Sequence, residues 1–182
     1  MAKAAVFLAD GFEEVEAMAP IDILRRGGID VTTVSIMGRK EVHGSHGIDV
    51  RADALIEETD LDEMDMLILP GGKTGTQNEE ACEALKAKVK EFDAAGKYVA
   101  AICAAPTILG HLGIVNGKKA TCYGGLEGEL KGALTSADPV VVDGHIITSR
   151  GMGTSVAFGL KLLEIFTDKD SADKMAGAIM VP

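Results

Sequence analysis

The chain has 182 residues, 47% apolar and 25% charged, which excludes a disordered chain and suffices for one sizeable core, read as one domain over residues 1–182. With 28 acidic against 18 basic residues, the formal net charge is −10. No basic cluster exceeds two residues, as at Arg25-Arg26 and Lys118-Lys119, so nucleic-acid phosphate is excluded as a partner and the charge speaks for solubility.

Met1-Ala2-Lys3 leads into the short apolar run Ala4–Ala9 rather than into a secretory signal. That run ends at Asp10-Gly11 and reads as a buried strand. A helix is predicted over 13–27, with acids in its first turn, Arg25-Arg26 in its last and Gly27-Gly28 as its stop; Pro20 inside it predicts a kink or broken turn. Val31–Ile36 is β-rich, and Val42–Val50, broken by Gly44 and Gly47, predicts a hairpin. Met66–Leu69 is a second buried strand closed by Pro70-Gly71-Gly72. A polar loop and a charged helix over about 79–95 follow. Tyr98–Gly117 carries no formal charge over twenty residues but contains Pro106, Gly110 and Gly113. It reads as strand 98–102 followed by a buried helix rather than a membrane span. Strands at 140–142 and 146–148 and helices at 154–166 and 171–180 complete the chain.

Strands alternating with helices predict a parallel sheet covered on both faces, a three-layer α/β/α sandwich. Ligands bind such sheets beyond the C-terminal strand ends, here 10–16, 70–78 and 103–106. Cys103 falls in the turn between a strand and a helix, where free N–H groups and the helix dipole favour a thiolate, as in a nucleophile elbow. Free cysteines are also among the most buried residues, and the local pattern leaves both readings open. Cys82, in the charged helix, and Cys122, in a predicted strand, read as structural; three cysteines without framework spacing suit the reduced thiols of a cytoplasmic protein.

Leu69–Gly75 contains Gly-Lys-Thr, but Leu67 stands where a phosphate loop needs its first glycine. An oxyanion hole or an ordinary turn remains. Asp10–Glu16 offers three acids in a first helical turn, ordinarily placed there for the dipole. Periodicity does not choose among them: Glu16 heads a stripe with Ala19, Pro20 and Ile23, and Glu14 one with Met18 and Ile21. A buried carboxyl facing Cys103 could stay protonated and donate to a thiolate. Of His43, His46, His111 and His145, only the first two are close in sequence, and no third metal ligand accompanies them; a Cys–His dyad stays open.

Four segments in one order, Gly-Phe-Glu-Glu-Val-Glu (11–16), Leu-Pro-Gly-Gly (69–72) with Asn78, Ala-Ile-Cys-Ala-Ala-Pro (101–106) and Thr-Ser-Arg-Gly-Met-Gly-Thr (148–154), resemble the ThiJ/PfpI superfamily. The resemblance spans essentially the whole chain and points to the branch of the Parkinson's-disease-associated deglycase and bacterial YajL. It implies a flavodoxin-like fold related to class I glutamine amidotransferases, usually a homodimer, with no cofactor or metal. It implies Cys103 as nucleophile, readily oxidised to sulfinic acid, and Glu16 as its carboxyl partner. It further implies Gly72 and Ala104 as backbone oxyanion donors, with Gly71 flanking them. Tyr123 stands where many relatives carry a histidine, so Glu16 has more to do. Ala104 follows the cysteine where the peptidase branch has histidine. The implied activity is glyoxalase III or deglycase chemistry on methylglyoxal and related dicarbonyls or their adducts. The alternative is a redox-sensing, stress-protective protein using the same cysteine.

Overall fold

The computed structural model describes all 182 residues. In chain order its elements are β1 (Lys3–Leu8), α1 (Glu14–Arg26), β2 (Asp30–Ser35), β3 (Glu41–His43), β4 (Asp49–Arg51), β5 (Ala54–Leu55), β6 (Met66–Leu69), α2 (Lys73–Ala81), α3 (Glu83–Ala94), β7 (Tyr98–Ile102), α4 (Pro106–His111), β8 (Lys119–Ala120), β9 (Leu134–Thr135), β10 (Val140–Asp143), β11 (Ile146–Ser149), α5 (Ser155–Phe166) and α6 (Lys169–Ala178). Seven strands form one sheet in the order β10-β11-β7-β6-β1-β2-β5, all parallel except β10 against β11.

The apolar runs do not alternate with polar residues because both faces of the sheet are covered. In β1, Ala5 and Phe7 pack on the face that also buries Leu85, Val89 and Phe92 of α3 and Ile108 of α4. Ala4, Val6 and Leu8 pack on the other face with Ala17 and Leu24 of α1 and Phe158 and Leu162 of α5. The result is the α/β/α sandwich of a flavodoxin-like fold. Each fully buried Phe or Leu contributes about 2 kcal/mol of transfer free energy, so either layer is a large part of the stability. No helix is long and apolar enough to cross a membrane.

β1 lies between β2 and β6, so consecutive connections leave it in opposite directions. That reversal is the switch point where loops part and a cleft opens beyond the strand ends. The loops after β1, β6 and β7 meet there.

Four expectations need correction. The charged helix is two helices, α2 and α3, meeting at Cys82, which caps both rather than sitting inside one. α2 begins at Lys73, within the stretch expected as loop, because Gly72 at φ +95° turns the chain and Gly75 lets α2 rest on Phe12. A Cβ at Gly75 would lie 2.8 Å from Phe12 Cα. No broken turn appears at Pro20, and α1 runs through it to Arg26. Pro20 is buried against α5, where Gly159 permits close approach: a Cβ there would lie 3.0 Å from Pro20 Cα. Tertiary packing overrides the local cost of the missing N–H. Cys122 is buried just beyond β8 rather than within a strand.

Candidate active site

The first loop assigns the three acids different tasks. Glu13 caps α1, accepting from Glu16 N at 2.7 Å. Glu14 turns to the β3–β4 hairpin, where His46 N donates at 2.6 Å and His46 Nδ1 lies 2.8 Å from its carboxylate. Glu16, 1% exposed, turns inward to the ends of β6 and β7. Its Oε2 accepts from Gly71 N at 3.0 Å, and Met152 N also points at the carboxylate.

Gly71 has to be glycine. A Cβ there would lie 2.4 Å from Glu16 Oε2, 2.6 Å from Cys103 Cβ and 2.9 Å from Ile102 O. Those distances also show that the acid and the cysteine meet over this one residue. Gly71, expected to flank the oxyanion donors, gives its N–H to the carboxylate.

Cys103 follows β7 directly and has φ +66°, a left-handed backbone rare outside glycine. Its N donates to Ser149 O at 3.0 Å and its carbonyl accepts from Tyr123 N at 2.8 Å, so neighbouring segments hold the strained turn. α4 starts three residues on with Pro106. The side chain is part-buried, with the Glu16 carboxyl as its hydrogen-bonding neighbour and the N–H groups of Gly72 and Ala104 directed at the sulfur. These are the two N–H groups that the resemblance implied as oxyanion donors.

Burial raises the Glu16 carboxyl to about 7, against the opposing bonds from Cys103 and Gly71. Burial, then the charge of ionised Glu16, pushes the Cys103 thiol up to about 12, which the two N–H groups only partly offset. The short helix α4 therefore does not by itself give a thiolate, as the sequence suggested. Near neutrality the thiol keeps its proton, and a thiolate forms only as an ionised Glu16 takes that proton.

The sulfur opens into a cavity of about 490 Å³, lined by Lys73, Thr76, Gln77, Thr107, Tyr123 and Leu126 among others. No histidine lines it. His43 pairs with Asp49, His111 with Glu80 and Glu129, and His145 with Asp93. His46, Glu13 and Glu14 place three potential ligand atoms within 4.8 Å, but the contacts above already account for that group. Sequence reasoning missed the α2 lining and Glu79, a carboxyl 2% exposed whose Oε2 has no partner. With α2's first turns read as loop, no helical face was available to place them.

Residues 2–165 match the DJ-1/PfpI family. The chain belongs to the DJ-1/PfpI family. It is 38% identical to DJ-1 homologues B and A of Arabidopsis thaliana over 181 and 177 residues. These matches cover 98% and 96% of this chain but only 41% and 45% of the Arabidopsis proteins, so the chain spans less than half their length. It is 36% identical to a deglycase of Pyrococcus abyssi over 159 residues, covering 84% of this chain and 92% of that one. Among solved DJ-1/PfpI structures, oxidized Toxoplasma gondii DJ-1 superposes with a TM-score of 0.95 at 34% identity, covering 99% and 98% of the two chains. A cysteine-to-alanine mutant of a DJ-1 superfamily protein from Salmonella typhimurium gives 0.95 at 36% identity, with both chains fully covered.

Proposed function

We propose that the protein is a cofactor-independent enzyme of glyoxalase III or deglycase type, acting on methylglyoxal and related dicarbonyls or their adducts. The observation that carries this reading is the strained Cys103 sulfur placed against a buried, partly protonated Glu16 and under two backbone N–H groups. The deglycase name of the Pyrococcus relative supports it.

With its proton on Glu16, the Cys103 thiolate adds to the aldehyde carbon of methylglyoxal. The N–H groups of Gly72 and Ala104 hold the developing oxyanion, and Glu16 protonates it to a hemithioacetal. The Glu16 carboxylate then removes the proton from that carbon, giving an enediolate, and returns it to the neighbouring carbon as the hydroxyl proton passes to the second oxygen. The resulting thioester is hydrolysed by water to lactate, regenerating the thiol; methylglyoxal plus water balances lactic acid. A homodimer working in the cytoplasm is part of the same reading. A dicarbonyl turnover assay of wild type, Cys103→Ser and Glu16→Gln tests it. Turnover by Cys103→Ser at the wild-type rate would end it.

A second reading is favoured by the oxidized state in which the Toxoplasma relative was solved. Peroxide would oxidise the thiol to sulfenic and then sulfinic acid, each step reducing one peroxide to water, with Glu16 hydrogen-bonded to the product. A two-oxygen mass gain on Cys103 with negligible dicarbonyl turnover would select this sensor role.

A further inference from the structure

Beside the thiol cavity lies a second cleft of about 510 Å³, and Tyr123 lines both. The Tyr123 backbone is fixed to the cysteine turn through Cys103 O, while its ring is 56% exposed. Arg150, immediately after β11, also lines the second cleft. Gly151 lines it too, and a Cβ there would lie 3.6 Å from the Tyr123 ring and 3.7 Å from Glu16 Oε1. The cleft therefore borders both the thiol cavity and the catalytic carboxyl.

Arg150 differs from every other arginine of the chain. Arg25, Arg26, Arg39 and Arg51 each pair with a carboxylate, at 2.7, 2.7, 2.6 and 3.2 Å. Arg150 has none, although acids outnumber basic residues 28 to 18. Its only hydrogen bond is from Nη1 to Ala137 O at 3.3 Å. Glu127, the acid on the adjoining turn, accepts from Gly125 N instead. The guanidinium rests over Gly124, where a Cβ would lie 3.3 Å from Nη2. A planar fork with unfilled donors in a cleft is suited to a carboxylate or phosphate, which it can grip with two bonds. Lys73, in the thiol cavity, likewise lacks a carboxylate partner, but an ammonium is a hydrated point charge without that geometry.

We propose that Arg150 is an anion-binding specificity residue: the preferred substrates are small carbonyl compounds bearing a carboxylate or phosphate, with the carbonyl at Cys103 and the oxyanion in the Arg150 cleft. This rests on the proposed thiol chemistry, so the test separates the two. Cys103 is alkylated with iodoacetate, which carries a carboxylate, and with neutral iodoacetamide, and each rate is read by mass spectrometry. Arg150→Gln should lower the iodoacetate-to-iodoacetamide ratio about fivefold while leaving the iodoacetamide rate unchanged, and Arg150→Lys should fall between. An unchanged ratio, equal loss with both reagents, or a ratio governed by Lys73→Gln alone would overturn it. In parallel, acetate and inorganic phosphate are titrated against the Arg150 Nε–H resonance of the wild type. A saturable shift is expected, and its relative strength shows which anion is preferred; no shift with either overturns the proposal. A Cys103 inert to both reagents would count against the thiol chemistry, while the resonance still reads anion contact at Arg150.

Discussion

Two carboxyls stand two residues apart in the first turn of α1, both buried, and their environments drive them in opposite directions. Glu14 faces the hairpin: burial raises its pKa, but donors from His46 and Ser45 outweigh that and bring it to about 2. Glu16 faces the sheet edge, where burial prevails and raises it to about 7. Each acid sits on a glycine. A Cβ at Gly44 would lie 2.4 Å from Glu14 Oε1, as one at Gly71 would lie 2.4 Å from Glu16 Oε2. Helix and turn are shared and each acid meets three donors from other residues, so the difference lies in whether those donors outweigh burial. Where a histidine is among the donors they prevail and fix a charge. Where a thiol is among them burial prevails and leaves a proton movable.

The largest expected effect tests that division directly. Cys103→Ser should abolish dicarbonyl turnover, and Glu16→Gln should lower it by about 10²-fold or more, since an amide cannot shuttle a proton. Glu14→Gln should leave turnover nearly unchanged while lowering stability by about 1–3 kcal/mol, because it strips a buried hydrogen-bond network of its charge. Comparable activity losses in both variants would erase the distinction between the acids.

The sequence shows why this comparison needed three dimensions. The apolar runs 4–9, 66–69 and 98–102 announced a buried parallel sheet because both faces had to be covered. The strand-end rule then located the three loops of the site before any contact was known. Along α1, however, Glu14 and Glu16 each headed a plausible stripe. Only the resemblance singled out Glu16. The physical reason for its task is Gly71, 55 residues away, which no local pattern connects to it. Arg150 was legible only as part of a motif, because its lack of an acid partner is a fact of the folded surface.

Stability against pH sharpens the comparison next. Glu16 has a raised folded-state pKa, so its contribution is full below about 4.5 and lost as pH rises through about 7. Glu14 has a lowered one, so its contribution is full above about 4.5 and lost as pH falls through about 2. A shift of this size corresponds to about 3 kcal/mol for each group, with opposite slopes. Denaturant unfolding between pH 4.5 and 8 should therefore steepen in favour of acid for the wild type and flatten in Glu16→Gln. An identical slope in both would show that Glu16 is not the proton-holding group.

The two glycines offer a further contrast. Gly71→Ala forces the new Cβ against both Glu16 and Cys103, and it should lower stability by about 1–3 kcal/mol and thiol alkylation together. Gly44→Ala meets Glu14 and Ile48 O, at 2.4 and 2.6 Å, and should cost similar stability while Cys103 alkylates at the wild-type rate. Loss of thiol reactivity in Gly44→Ala would mean that the hairpin and the cavity are mechanically coupled.

The smallest expected effect concerns His46, whose ring is exposed although its Nδ1 lies against Glu14. The Glu14 carboxylate raises the His46 pKa, through the hydrogen bond first and then through its charge. His46→Ala removes the ring but keeps the backbone N–H that donates to Glu14 Oε1, and Ser45 Oγ stays at 3.2 Å. Removing one of three donors should cost about 0.5–1 kcal/mol at pH 7, read as a lower denaturation midpoint with an unchanged slope. Turnover should not move. Because the backbone donor remains, Glu14 should still titrate well below its neighbour. A Glu14 carboxyl resonance that titrates near 4.5 in His46→Ala would show that the imidazole, rather than the hairpin backbone, keeps that acid charged.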